Sequence, residues 1–225
     1  MYDKKQMSTK NISVVIVDDH KIFRDGLQLL LNHFDFVRVV GEASNGEEFL
    51  EIMENIIPDI VLMDINMPKL SGIEATKIAL KKYPSLKIIA LTTFFEEDYI
   101  EQMLLAGVEG YMLKRSNIEE FEKAIKKVYE GGCYFSDEIV KIITRNLSKY
   151  KEQSNLKLVL PQFTPREQQI LELVCKGFNN DQIAETIFLS PKTIEKHKSS
   201  LFQKTGTFNT VNLVIYAFKN QLVSL

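Results

Sequence analysis

Five side chains in this 225-residue chain stand where they could carry out phosphoryl chemistry together. The apolar run Ile12–Val17, broken only by Ser13, ends in Asp18-Asp19-His20, and Ile60–Met63 ends in Asp64. Ile88–Leu91 ends in Thr92-Thr93, and Gly110–Leu113 ends in Lys114. Gathered carboxylates repel one another and raise each other's pKa unless a cation lies among them. An all-oxygen acidic set suits a hard divalent ion, Mg²⁺ above all. Beside such an ion, Asp64 is equipped to act as a nucleophile toward phosphorus. Lys114 would neutralise the phosphoryl oxygens and Thr92 would hydrogen-bond one of them. Singly, each residue reads as a strand end, a helix cap or a solvated side chain; the reading rests on their joint occurrence.

Bringing those ends together requires a parallel sheet. Strand and helix patterns alternate five times. Strand Ile12–Val17 precedes a helix with Ile22, Leu27, Leu30 and Leu31 at helical spacing, and Val37–Gly41 precedes the helix Glu47–Asn55. Strand Ile60–Asp64 leads to a helix opened near Ser71-Gly72 that runs to Tyr83-Pro84, and Leu86–Thr92 leads to Glu96–Ala106, closed by Gly107. Strand Gly110–Lys114 leads to Ile118–Tyr129, closed by Gly131-Gly132. Near-continuous apolar strands between helices predict an α/β fold, a flavodoxin-like, doubly wound, five-stranded parallel sheet with helices on both faces. In that fold the carboxyl ends of the strands line one rim, where ligands collect at the switch point of strand order.

The rest of the chain is helical and forms an all-α second domain. Ile139, Ile142, Ile143 and Leu147 suggest one connecting helix, and residues 148–155 lose apolar periodicity and read as a tether. Thr164-Pro165-Arg166-Glu167 is a helix start with N-cap, proline and capping-box glutamate. Asn180–Ile187 follows, then a tight turn Leu189-Ser190-Pro191-Lys192 and a third helix, Thr193–Thr205, with Ile194, Leu201 and Phe202 inward. Two helices joined by a short turn, the second bearing Lys192, Lys196 and Lys198, suggest a helix-turn-helix that enters a major groove. Thr193 at a helix N-terminus suits a backbone phosphate. The same pattern would also fit the solvated face of a small bundle, and Glu195 within it permits cytosine readout without requiring it. The domains are set at 11–132, a connection at 133–160, and 161–225.

A composition 45% hydrophobic and 26% charged is that of a folded, water-soluble chain. No apolar run is long enough to span a bilayer, and a cytoplasmic location with no membrane partner is expected. Cys133 and Cys175 are far apart, without a partner at metal-ligand spacing, and read as reduced structural thiols. Residues 158–225 hold seven basic and five acidic residues, a balance compatible with nucleic acid but too weak to imply it alone.

Residues 12–131 resemble the receiver domain of two-component response regulators, through VVIVDDH, VLMDINMP followed by Gly72, ALTTF and GYMLK. The resemblance implies that Asp64 is the phospho-acceptor, fed by a sensor histidine kinase. It makes Asp19 a direct Mg²⁺ ligand, Asp18 a ligand through water and the Asn66 main-chain carbonyl a further ligand. Thr92 becomes the switch hydroxyl, Lys114 the invariant lysine and Tyr111 the aromatic that turns inward on activation. The chain departs from the pattern at Arg115, where proline is usual. Residues 163–224 resemble the LuxR-type helix-turn-helix, through FTPRE, GFNNDQIAETIFLSPKTIEKH and KTG. Together these make the chain similar to a response regulator of the NarL/FixJ class, a transcription factor rather than an enzyme beyond its own phosphorylation and slow dephosphorylation. The resemblance points Glu195, Lys196 and Ser199 at bases of double-stranded DNA and Lys192, Thr193 and Lys198 at its backbone. It also implies a homodimer paired through the last helix, Thr210–Lys219. His20 reads as a solvated residue at a helix start, and His33 as surface.

Overall fold

The structure, a computed structural model, describes residues 11–93, 96–136, 139–140, 161–220 and 222–223. The connecting helix and tether expected at 139–155 fall almost wholly outside those residues. Helices and strands alternate as β1 (Ile12–Val17), α1 (Lys21–Leu31), β2 (Val37–Ala43), α2 (Gly46–Met53), β3 (Ile60–Asp64) and α3 (Gly72–Lys82). They continue with β4 (Lys87–Thr92), α4 (Glu97–Ala106), β5 (Gly110–Leu113), α5 (Ile118–Tyr129) and β6 (Tyr134–Phe135). The sheet is parallel throughout, in the order β2-β1-β3-β4-β5-β6.

Five strands have the order expected of a flavodoxin-like sheet. The sixth was not expected: Tyr134 and Phe135 pair with Gly110 and Tyr111, so the sheet runs past the boundary set at residue 132. Two residues are too few to show a periodicity, and only the tertiary approach of the chain after α5 makes them a strand. The period-2 alternation of the strands divides the core. Val15, Val17, Val61, Met63, Ile88, Ala90 and Tyr111 face one cluster with residues of α2, α3 and α4. Val14, Ile16, Ile60, Leu62, Ile89, Leu91 and Met112 face the other with residues of α1 and α5. Residues next to one another in a strand thus serve opposite layers. The expected inward face of α1 is shifted: Ile22 is 89% exposed and the half-buried Phe23 turns toward Lys114, whose Nζ lies 5.1 Å from the ring centre.

Four helices make the second domain: α6 (Pro165–Cys175), α7 (Asn180–Ile187), α8 (Pro191–Thr205) and α9 (Thr210–Lys219). Thr164 caps α6 in the expected capping box with Glu167, and Asn179 with Gln182 makes a second box on α7. Pro191 belongs to α8 as its first residue, with Ser190 as N-cap, rather than to the preceding turn. Fixed φ and a missing N–H cost nothing at that position. Ile170, Leu171, Val174, Ile183, Ile187, Ile194, Leu201 and Leu213 form the core of this domain.

Candidate functional site: an acidic pocket and a reading helix

The carboxyl ends of β1, β3 and β5 bring their polar residues together. Asp64 closes β3 at 4% exposure, and Asp18, just after β1, is fully buried. Lys114, just after β5, reaches both: its Nζ lies 2.8 Å from Asp64 Oδ2 and 2.7 Å from Asp18 Oδ2. The other Asp64 oxygen accepts the Ile65 N–H at 2.8 Å. Thr92, at the end of β4, is buried, and its carbonyl accepts the Lys114 N–H at 2.8 Å. Tyr111 is fully buried with its hydroxyl directed at the Thr92 side chain, and burial pushes its phenol well above the ordinary range. Sequence alone placed Asp18, Asp64, Thr92 and Lys114 at strand ends; the parallel register brings those ends side by side.

A glycine sets the position of Asp64. The first residue of α3, Gly72, packs so closely on the main chain of Asp64 that a Cβ there would collide with the Asp64 carbonyl oxygen. Its N–H also bonds the Ile65 carbonyl at 2.9 Å. The loop between β3 and α3 carries the exposed Asn66 and bends through Lys69, whose φ is 64°.

Charge in the pocket is unbalanced. Asp18, Asp19, His20 and Asp64 each offer a ligand atom within 4.8 Å of the others, with one ammonium among them. Burial pushes the Asp64 carboxyl up to about 6, and Asp18 adds to the rise against the opposing hydrogen bond from Lys114. Burial alone would pull Lys114 down, but its bonds to Asp18 and Asp64 outweigh it and raise the ammonium. Three carboxylates around a single cation leave room, in charge and in ligand atoms, for a hard divalent metal. His20 is the N-cap position of α1; its Nδ1 lies 2.8 Å from Asp19 Oδ1, and its side chain is mostly exposed. His33 is exposed, as expected.

In the second domain the DNA-contact candidates separate into two groups. Lys192, Glu195, Lys196 and Ser199 are exposed along α8, and Thr193 is half-buried, its N–H accepted by Ser190 Oγ at 3.2 Å. Lys198 is different: it is 5% exposed, and its Nζ donates to the Gly131 carbonyl at 2.7 Å and to Asn180 Oδ1 at 3.1 Å. It lies four residues after the buried Ile194, on the apolar stripe rather than the polar one. That spacing was the available signal that this lysine faces inward.

Known proteins share both halves. The profile described as "Response regulator receiver domain" matches residues 14–126, and the one described as "Bacterial regulatory proteins, luxR family" matches residues 161–217. The chain belongs to the response-regulator family. It pairs a receiver with a LuxR-type DNA-binding domain, the organisation of transcriptional regulators in two-component systems. It is 36% identical to the transcriptional regulatory protein MctR of Rhizobium johnstonii, over 95% of this chain and 96% of that one. To the transcriptional regulatory protein DegU of Brevibacillus brevis it is 31% identical, over 98% and 99%. The solved RcsB–DNA complex aligns with a TM-score of 0.57 at 25% identity, covering 95% of this chain and 100% of that one. A second RcsB structure holds two dimers on two parallel DNAs, with a TM-score of 0.56 at 25% identity over the same shares of the chains. No helix among the described residues is long and apolar enough to cross a membrane.

Proposed function

We propose that Asp64 accepts a phosphoryl group from the histidine of a sensor kinase, with Mg²⁺ in the acidic pocket, and that this controls binding of double-stranded DNA by α8. The observation that carries the reading is Lys114 held at 2.8 Å from Asp64 and 2.7 Å from Asp18 where carboxylates outnumber ammonium. Asp18, Asp19, Asp64 and the main-chain carbonyl of Asn66 would hold the ion, Asp18 through water. When bound, Mg²⁺ neutralises charge on the phosphoryl oxygens. An Asp64 carboxylate oxygen forms the new P–O bond as the P–N bond to the donor imidazole breaks, and the leaving imidazole takes up a proton. Lys114 follows the charge onto the phosphoryl group, and Thr92 turns its hydroxyl toward the same group. Tyr111, against Thr92, fills the space behind it. Turnover of outside phosphoesters would need an acid near the leaving group, and the residue two beyond Asp64 is Asn66.

A donor histidine has an apolar landing beside the pocket. A groove of about 910 Å³ is lined by Ile22, Phe23, Leu27, Lys114, Arg115 and Phe121. On the DNA side, Glu195, Lys196 and Ser199 face bases, and Lys192 and Thr193 face the backbone. RcsB binds DNA as a dimer, which supports a homodimer for this chain; by this reading the two copies would take two half-sites, and the protein would work in the cytoplasm, where the DNA is.

The test uses the whole chain and Asp64→Asn, each incubated with a small phosphodonor such as acetyl phosphate, with Mg²⁺ or with EDTA. Wild type with Mg²⁺ is expected to gain one acid-labile phosphoryl group and to tighten on a duplex selected from random DNA. The variant and the EDTA sample should gain none. Equal incorporation in wild type and Asp64→Asn would remove Asp64 from the chemistry.

A further inference from the structure

The buried stripe of α1 carries a charge. Leu27 and Leu31 face the core, and Arg24 lies on the same side of the helix, three and seven residues before them. Its side chain is only 12% exposed. A guanidinium held out of water needs acceptors, because an unpaired charge there is costly. Arg24 reaches two. Its Nη1 donates to the main-chain carbonyl of Asp18 at 2.5 Å. Its Nε lies 3.5 Å from Glu42 Oε2, an ionic contact rather than a hydrogen bond. Glu42 stands on β2 opposite Ile16, two residues before Asp18. A planar fork can face a carbonyl and a carboxylate at once, whereas the compact ammonium of a lysine would have to favour one of them.

The Asp18 carbonyl belongs to the peptide that carries Asp19, and that stretch is pinned from several sides. The Asp18 N–H bonds the Ala43 carbonyl of β2 at 3.1 Å. Asp18 Oδ1 accepts the His20 N–H at 2.9 Å, which closes a turn around Asp19. Asp19 projects from this turn partly exposed, its Oδ1 beside the ring of the exposed His20. The direction of the Asp19 carboxylate is therefore set by its main chain, and Arg24 holds the one carbonyl in that peptide. Because the bond goes to a main-chain oxygen, it uses up no ligand atom. The carboxylates of Asp18 and Asp19 stay available to Lys114 and to an ion.

We propose that Arg24 is a positioning residue of the metal site: its hold on the Asp18 carbonyl fixes the direction of the Asp19 carboxylate and thereby the affinity of the pocket for Mg²⁺. The inference rests on the Mg²⁺ reading given above and adds a residue that lies outside the ring of acids. Charge and geometry act in opposite senses here. A cation close to an acidic pocket repels a second cation, so on charge alone the loss of Arg24 would tighten Mg²⁺ binding. Loss of orientation weakens it, since groups that orient metal ligands are typically worth about 10- to 100-fold in affinity. The sign of the change separates the two.

The test titrates the full chain with Mg²⁺ alone, without phosphodonor or DNA, and reads the Kd by calorimetry. Arg24→Met is expected to raise that Kd by about tenfold or more. With acetyl phosphate added, the Mg²⁺ concentration giving half-maximal phosphoryl incorporation should rise by the same factor, and the rate at saturating Mg²⁺ should change much less. Arg24→Lys keeps the charge and loses the fork, so its Kd should fall between those of wild type and Arg24→Met. An arginine that only stabilised the fold would lower the Tm of Arg24→Met and leave its Kd where it was. An unchanged or tighter Kd in that variant would overturn the proposal. Should Arg24→Met fail to fold, as judged by circular dichroism, Arg24→Lys decides alone: a wild-type Kd overturns the proposal and a weaker one supports it. Absence of Mg²⁺ binding by wild type would overturn the metal reading and this inference together. Equal binding by wild type and variant overturns this inference alone.

Discussion

Acid and ammonium meet in burial at two places in this protein, and their charge balance sets them apart. Around Lys114 the carboxylates of Asp18 and Asp64, with Asp19 beside them, outnumber the single cation. Glu167 faces one lysine, Lys204, at 2.6 Å within the second domain. A balanced pair is complete in itself: its two charges satisfy each other, and its effect is to hold two elements in place. A surplus of acid is incomplete. It raises the affinity for a cation from outside, and it adds to the burial that holds one carboxylate, Asp64, at a raised pKa. The same residue types therefore give a reactive site in one place and a fastener in the other.

The sharpest way to break that contrast is Lys114→Met. If Lys114 only fastened β5 to β1 and β3, its loss would cost stability and leave signalling intact. If it reads the charge on Asp64, the variant should still take up phosphoryl groups with Mg²⁺, because the ion remains, but its DNA affinity should no longer respond. The expected result is loss of the whole phosphorylation-dependent gain, which for coupled sites is typically about 1–3 kcal/mol. Binding titrations of wild type and variant, with and without phosphodonor, read it directly. A variant with the wild-type gain would make Lys114 a fastener too.

Gly72→Ala tests the same pocket from the main chain. The balanced pair is placed by its own attraction, whereas Asp64 is placed by α3 resting on its carbonyl with no room for a Cβ. An added methyl must push α3 off β3, an overpacking cost of about 2 kcal/mol or more. Urea unfolding of the receiver should show the loss, and phosphoryl incorporation should slow as Asp64 is displaced from Lys114. Unchanged stability would mean that the contact relaxes freely and that charge alone positions Asp64.

The parts of this molecule that could be read in the sequence are those set by local pattern. Apolar runs ending in Asp18, Asp64, Thr92 and Lys114 gave away the strands and the rim because strand period and end position are local properties. Thr164-Pro165 and Ser190-Pro191 carried the same helix-start signal, yet only the first was read as one, since the second lay within an expected turn. What depended on distant partners was hidden. The two residues of β6 become a strand only beside β5, and Ile22 could not be told from Phe23 as the inward side chain of α1 without its neighbours. Lys198 read as one more basic residue of a reading helix, because its acceptors, Asn180 on the neighbouring helix and Gly131 of the receiver, are brought to it only by tertiary packing.

The smallest expected effect concerns the balanced pair inside one domain, where no function is at stake and only stability should move. Burial opposes the charge on Glu167, but Lys204 at 2.6 Å, the Thr164 N–H at 2.8 Å and Ser200 Oγ at 2.7 Å outweigh it and hold the carboxyl at about 2. A folded pKa below the unfolded value means that the charged form stabilises the fold. Its contribution is full above the ordinary value of 4.5 and fades as pH falls from there toward about 2. Glu167→Gln should therefore lower the protection of α6 and α8 amides by about 1–2 kcal/mol at pH 7, a charge-assisted bond being worth that much when its partners remain. The gap between wild type and variant should narrow steadily below pH 4.5, because the wild-type residue is then being neutralised as well. Hydrogen exchange across that range measures it. A gap that stays constant down to pH 3 would show that the carboxylate's shape rather than its charge matters, and that balance of charge does not distinguish this pair from the pocket.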